Sequence, residues 1–205
     1  ATLRAYQKTG FRWLCALAEC GLGGILADDM GLGKTVQAIA FLLHRKQTAL
    51  IVCPASLVYN WGAELEKFAP SLRVQLLLGA AQTRQEQLQS EADVFVTSYD
   101  LLRRDVEHYA GRSFGCCILD EAQYVRNAET KLAHAVKQIT AEVRFALTGT
   151  PVYNRLADLW SIFDFILPGY LETYAKFRKR FEIPVTDGDT GAAKRLTRMT
   201  SPFIL

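Results

Sequence analysis

Between Gly23 and Leu43 the chain reads GGILADDMGLGKTVQAIAFLL: a short apolar run, a turn with two glycines, then a long, nearly all-apolar segment. A strand that stops, a tight loop and a buried helix in that order commit a chain to layered α/β packing, because both flanking elements need cover. The loop matches the end of the phosphate-binding pattern G-x-x-x-x-G-K-[ST] at Gly33, Lys34 and Thr35, while Asp28 stands where the first glycine is expected. That first glycine mainly serves the turn, so Asp28 leaves the chemistry open. Successive backbone N–H groups and the N-terminus of the following helix form an anion cradle. Gly31 and Gly33 let the backbone approach phosphate oxygens with no Cβ in the way. Lys34 is placed to reach β- and γ-phosphates, and the Thr35 hydroxyl to ligate magnesium. The competing reading, a glycine-rich turn without a ligand, fits this strand–loop–helix setting less well.

The rest of the chain keeps the same rhythm. Strands are expected in GGILA, ALIVCP, VQLLL, DVFVTSY, CCILD and RFALTG, most of them without polar alternation, as for strands covered on both faces. From Asn154 onward, Leu156, Leu159, Trp160, Phe163 and Ile166 recur with helical period. Ser56 is the expected N-cap of a helix ending near Pro70, and the helix from Lys34 to Lys46 ends in His44-Arg45-Lys46 at its negative pole. In FRKRF the charges read as a solvated face with Phe177 and Phe181 turned inward, and a nucleic-acid-facing patch is the reading left open beside it. PVTDGDTGAAKR is the one stretch that reads as a linker.

At 205 residues, half hydrophobic and 22% charged, the chain has material for one sizeable core and is not a disordered chain. A net charge of +3 neither requires nor excludes nucleic acid, since clustering decides that. Five cysteines without C-x-x-C spacing argue against a disulfide framework or zinc site and for a reducing compartment; Cys116-Cys117 reads as core. No apolar run approaches a membrane span, no stretch reads as a signal peptide, and the abrupt ends suggest a fragment. The three histidines lack ligand spacing.

A phosphate loop needs a carboxylate for magnesium at the end of a nearby buried strand, and FGCCILDEAQ supplies Asp120 and Glu121. Asp120 is placed to hold the ion through its water shell, and Glu121 to orient and deprotonate the attacking water. Ser56, Asn60 and Trp61 follow another strand end, and Thr97, Ser98 and Tyr99 a third; their hydroxyls and amides can hold a phosphate, although Trp61 reads more readily as core.

These segments together resemble the Swi/Snf-type ATPases of helicase superfamily two. DDMGLGKT is similar to that family's DExGLGKT loop, in which an acidic residue replaces the first glycine, and DEAQ to the DEAD/DEAH box, with Gln123 where many relatives carry His. LRAYQKTGFRWL looks like the entry motif, LIVCPASLVYNW like motif Ia, VTSYDLLRRD like motif Ib, LTGTPVYNRLADLWSIFDFILPGYL like motif III with its helix, and RLTRMTSPFIL like the segment leading to a second lobe. The resemblance implies an N-terminal RecA-like P-loop NTPase lobe over residues 1–205, α/β with a mainly parallel sheet and helices on both faces. Residues from about 183 to 205 would lead towards a second RecA-like lobe.

It further implies ATP and Mg2+ held by Gln7 (reading the adenine edge), Asp28, Asp29, Met30, Gly31, Leu32, Gly33, Lys34 and Thr35. Lys34, Asp120 and Glu121 would be catalytic, and Thr35 and Asp120 metal ligands. Ser56, Asn60, Ser98, Tyr99, Thr148, Gly149 and Thr150 would contact DNA or couple it to the nucleotide. The implied activity is ATP-driven translocation on duplex DNA that remodels protein–DNA complexes. Arginine fingers belong to the second lobe, whose motifs have no match in this chain, so weak Mg–ATP binding and little hydrolysis are expected of it alone. The rival readings are another superfamily-two motor (an RNA helicase or a restriction-type translocase) and a catalytically silent ATP-binding module. The DDM-and-DEAQ combination points to a bacterial, nucleoid-associated cytoplasmic setting rather than a nuclear one.

Overall fold

A computed structural model describes residues 3–27, 33–149 and 154–205 of the chain. Its centre is a parallel sheet of six strands: β1 (Gly24–Leu26), β2 (Ala49–Cys53), β3 (Val74–Leu76), β4 (Val94–Ser98), β5 (Ser113–Leu119) and β6 (Thr140–Leu147), in the spatial order β1-β6-β5-β2-β4-β3. All six strands expected from sequence are present. Their lack of polar alternation has the anticipated cause: along β2, Leu50 and Val52 enter one buried cluster while Ala49, Ile51 and Cys53 enter the other. Cys116 and Cys117 divide between the two faces in the same way, as core.

One face is covered by α1 (Ala5–Glu19), α2 (Lys34–Arg45) and α3 (Val58–Phe68), with Trp61, Phe41 and Leu14 fully buried among them. On the other face lie α4 (Ala81–Leu88), α5 (Tyr99–Asp105), α6 (Lys131–Lys137) and α7 (Leu156–Ile166). There α7 buries Leu159, Phe163 and Ile166 of the stripe read from its period, together with Ile162, while Leu156 and Trp160 are only partly buried. Glycine is required where elements touch closely. A Cβ on Gly23 would stand 2.1 Å from the Arg144 carbonyl oxygen and 2.3 Å from that of Ile166.

Two expectations are revised. Ser56 does not cap α3: it lies exposed in a 3-10 turn, Ala55–Leu57, closed by the Leu57 N–H on the Pro54 carbonyl, and α3 begins only at Val58. The linker-like stretch is largely helical. After α8 (Tyr174–Phe177) and a π-turn over Arg178–Glu182 come α9 (Ile183–Thr186) and α10 (Thr190–Thr200). Gly188, at φ +91°, makes the corner, and the Asp189 side chain caps α10 by accepting the Ala192 N–H. Ala192, Leu196 and Thr200 recur every fourth residue and are buried, a period that turn-rich composition concealed. Phe177 and Phe181 are buried with their basic neighbours outside, as read from FRKRF. Beyond α10, the Leu205 N–H donates to the Ile25 carbonyl and the Ala27 N–H to the Leu205 carbonyl, covering the outer edge of β1. Among the described residues no helix is long and apolar enough to cross a membrane.

Candidate functional site

In a parallel sheet every strand delivers its C-terminal end to the same edge, so the segments after β1, β2, β4, β5 and β6 converge there. Gly33, Lys34 and Thr35 follow β1; Ser56 and Asn60 follow β2; Ser98 ends β4 and Tyr99 follows it; Asp120 and Glu121 follow β5; Thr148 and Gly149 follow β6. Asp28, Asp29, Met30, Gly31, Leu32 and Thr150 lie outside the described residues.

Gly33 is the N-cap of α2 and takes the left-handed conformation, φ +74°. A Cβ there would stand 2.5 Å from the Gln7 side-chain nitrogen, so glycine keeps the helix N-terminus open beside that amide. The Gln7 carbonyl oxygen accepts the Arg4 N–H at 2.9 Å and thereby fixes the amide's orientation at the start of α1. Lys34 and Thr35, both half-buried, open α2 behind it. At its far end α2 carries His44 and Arg45, as its sequence suggested.

Asp120 is the most constrained side chain of the site. Its N–H donates to the Val52 carbonyl at 2.8 Å, its Oδ1 accepts the Glu121 N–H at 2.9 Å, and its Oδ2 accepts Trp61 Nε1–H at 2.8 Å. Tyr99 donates its hydroxyl to the Asp120 carbonyl at 2.6 Å. Burial pushes the Asp120 carboxyl above the ordinary carboxylate range and the negative Glu121 adds to this, while the Trp61 hydrogen bond, the Glu121 N–H and the Lys34 ammonium pull it back. Cys53 beside Asp120 is a buried thiol pushed up to about 12, chiefly by desolvation, and is inert at neutral pH.

Glu121 has φ +51°, a left-handed conformation uncommon for a residue with a side chain, which turns it off the strand axis. Its Oε2 accepts from Gln123 Nε2 at 2.6 Å, and Gln123 Oε1 accepts the Thr148 hydroxyl at 3.1 Å. One amide, donor on one side and acceptor on the other, therefore joins Glu121 to the end of β6. Gln123 can make this link because an amide carries both functions.

By their chemistry the Thr35 hydroxyl and the Asp120 carboxylate are hard oxygens of the kind magnesium takes, and the N-terminus of α2 behind Gly33 is of the kind that takes a phosphate. Of the residues expected at DNA, Ser56 and Asn60 are exposed, on the turn and first helical turn after β2. Ser98 and Tyr99 are not at the surface: each is 3% exposed. Ser98 Oγ caps α5 by accepting the Leu101 N–H, and Tyr99 stacks on Tyr124, its hydroxyl held by Asp120. Their position at a strand end made them look like phosphate contacts, but packing turns both inward. Thr148 is likewise buried. The Trp61, Tyr99 and Gln123 hydrogen bonds escaped sequence reading; the only hint was that a buried indole or phenol needs a polar partner.

The SNF2-related domain matches residues 6–205. The protein named "Putative ATP-dependent helicase/translocase YwqA" of Bacillus subtilis (strain 168) is 42% identical over 214 residues, which take in all of this chain and 23% of that protein. MOT1 of Saccharomyces cerevisiae, named a TATA-binding protein-associated factor, is 42% identical over 205 residues, 90% of this chain and 11% of MOT1. The Sulfolobus solfataricus SWI2/SNF2 ATPase core in complex with dsDNA superposes with a TM-score of 0.93 at 40% identity, over all of this chain and 44% of that one. The chain thus spans about a quarter or less of the curated relatives it matches. With a phosphate-type loop, the DEAQ carboxylates, a matching fold and a family match over nearly its whole length, the chain belongs to the SNF2-related domain family.

Proposed function

We propose that this chain is the ATP-binding lobe of a DNA-dependent ATPase that translocates on duplex DNA and remodels protein–DNA complexes, with ATP as substrate and Mg2+ as its metal. The observation that supports this reading is that α2's N-terminus, bearing Gly33, Lys34 and Thr35, and the Asp120-Glu121 pair follow β1 and β5 at the same C-terminal edge of one parallel sheet. The Gly33 turn and α2's N–H groups cradle phosphate, Lys34 neutralises the β- and γ-oxygens, and Gln7 reads the adenine edge. Thr35 and Asp120 would hold Mg2+, which supplies charge neutralisation at the transferred phosphoryl group. Glu121 orients the attacking water and takes its proton, and Gln123 holds Glu121 in place relative to Thr148. Ser56 and Asn60, exposed beside the site, contact DNA phosphates and read no bases.

The test uses the longest natural form of the protein. Mg–ATP turnover should rise on adding duplex DNA, and Lys34→Ala should abolish it; turnover that is absent with and without duplex would leave a silent nucleotide-binding module.

A further inference from the structure

Asp120 is gripped by two aromatic residues that the catalytic scheme above does not use. Trp61 lies on α3, one residue after the exposed Asn60, and Tyr99 lies one residue after Ser98 at the end of β4. Both rings are buried, Trp61 completely, and each directs its one polar group at Asp120: the indole N–H at Oδ2 and the phenol at the carbonyl oxygen. Burying a Trp satisfies the apolar face without fixing where its N–H points; here it points at the one carboxylate that ends β5. With Oδ1 taken by the Glu121 N–H and Oδ2 by Trp61, the carboxylate plane is fixed before any ligand arrives. Each oxygen keeps a second lone pair for an incoming water or ion.

We propose that Trp61 is a positioning residue for the metal site: its indole N–H holds the Asp120 carboxylate in the orientation that receives Mg2+. This inference rests on the ATPase reading above and names a component of the same site. The chemistry is that of outer-shell support, in which a hydrogen bond to a metal-binding carboxylate sets its direction and typically governs affinity by ~10–100-fold. Because Trp61 is on α3, the helix whose first turn carries Asn60, any rotation of that helix is transmitted to Oδ2 through a single rigid ring.

Trp61→Phe in the longest natural form removes the N–H and keeps most of the bulk; 3-benzothienylalanine at the same position keeps the ring shape and replaces only N–H by sulfur. Binding of ADP is measured calorimetrically with Mg2+ varied and, separately, in excess chelator. The expected result is a Mg2+ half-saturation raised by ~10-fold or more in both variants, with metal-free ADP affinity unchanged. Should Trp61→Phe fail to fold, the benzothienyl variant carries the measurement. A Mg2+ dependence equal to that of the parent overturns the proposal, as does an equal loss of metal-free and Mg2+-dependent binding, which would make Trp61 merely structural. If the parent protein itself binds no ADP, the ATPase reading falls instead.

Discussion

At the scale of single residues, the site depends on two backbone positions in left-handed conformation, one glycine and one not. Gly33 adopts it at the N-cap of α2, so Gly33→Ala combines a strained φ with a Cβ that displaces the end of the Gln7 side chain. It should weaken nucleotide binding while leaving the sheet intact, which calorimetry and a thermal melt would separate. Glu121 adopts φ +51° with a full side chain, held by its own N–H on Asp120 and by Gln123. Such a conformation persists only where surroundings enforce it, and it clusters at functional positions. Glu121→Gln keeps the size and removes the base, so ATP should still bind and turnover of the longest natural form should fall by ~10²–10⁴. A turnover within a few-fold of the parent would remove Glu121 from the role of base.

Among the elements, α4 and α5 are locked to one another by charge. Arg84 presents Nε and Nη2 to Asp105 Oδ2 and Oδ1 at 2.6 and 2.7 Å, both side chains are 8% exposed, and a third guanidinium hydrogen bond goes to the Gly79 carbonyl. The bidentate geometry is the strong form of this pair. Removing one partner leaves the other charge buried, so Asp105→Ala should cost ~3–5 kcal/mol in denaturant unfolding; a loss below ~1 kcal/mol would mean that water reaches Arg84. By contrast, Arg73 and Asp93 pair at the surface beside β3 and β4, where hydrogen bonds from Arg73 lower the Asp93 carboxyl below its ordinary range. A lowered folded-state pKa stabilises above the unfolded value and is lost as pH falls through the folded one, so Asp93→Asn should be less stable than the parent near neutrality and equal to it in strong acid. Thermal midpoints at the two pH values read this directly.

For the molecule as a whole, the sheet brings Gly33, Lys34, Thr35, Asp120 and Glu121 to one edge, with the exposed Ser56 and Asn60 following β2 at the same edge. Two consequences follow from the proposed activity. The chain by itself should bind Mg–ATP weakly and turn it over slowly, because arginine fingers of the kind a second lobe would bring are worth ~10³–10⁵ in rate in related enzymes. Steady-state turnover from the 205-residue chain comparable to that of the longest natural form would contradict this. Duplex affinity of that longest form should fall linearly on a log–log plot against salt and vary little with sequence, as backbone contact requires. Weak salt dependence with strong sequence preference would signify base readout instead.

What the sequence determined by itself was everything local or periodic. The six strands were visible because unbroken apolar runs betray burial on both faces, and α7 because its stripe repeats every three to four residues. Lys34, Thr35, Asp120 and Glu121 were legible because each sits next to the end of an apolar strand or at the start of a helix, where backbone geometry alone aims it. Tertiary structure decided what depends on partners far apart in the chain. Trp61 and Asp120 are 59 positions apart and Gln123 and Thr148 are 25 apart, and no spacing rule connects them. The same holds for the inward turn of Ser98 and Tyr99: composition offers their hydroxyls to either solvent or core, and only the packing of α5 and Tyr124 chooses. In α10 a capping Asp189 and a buried residue at every fourth position outweighed a turn-rich composition, because burial against the lobe stabilises a helix that local propensity would leave marginal.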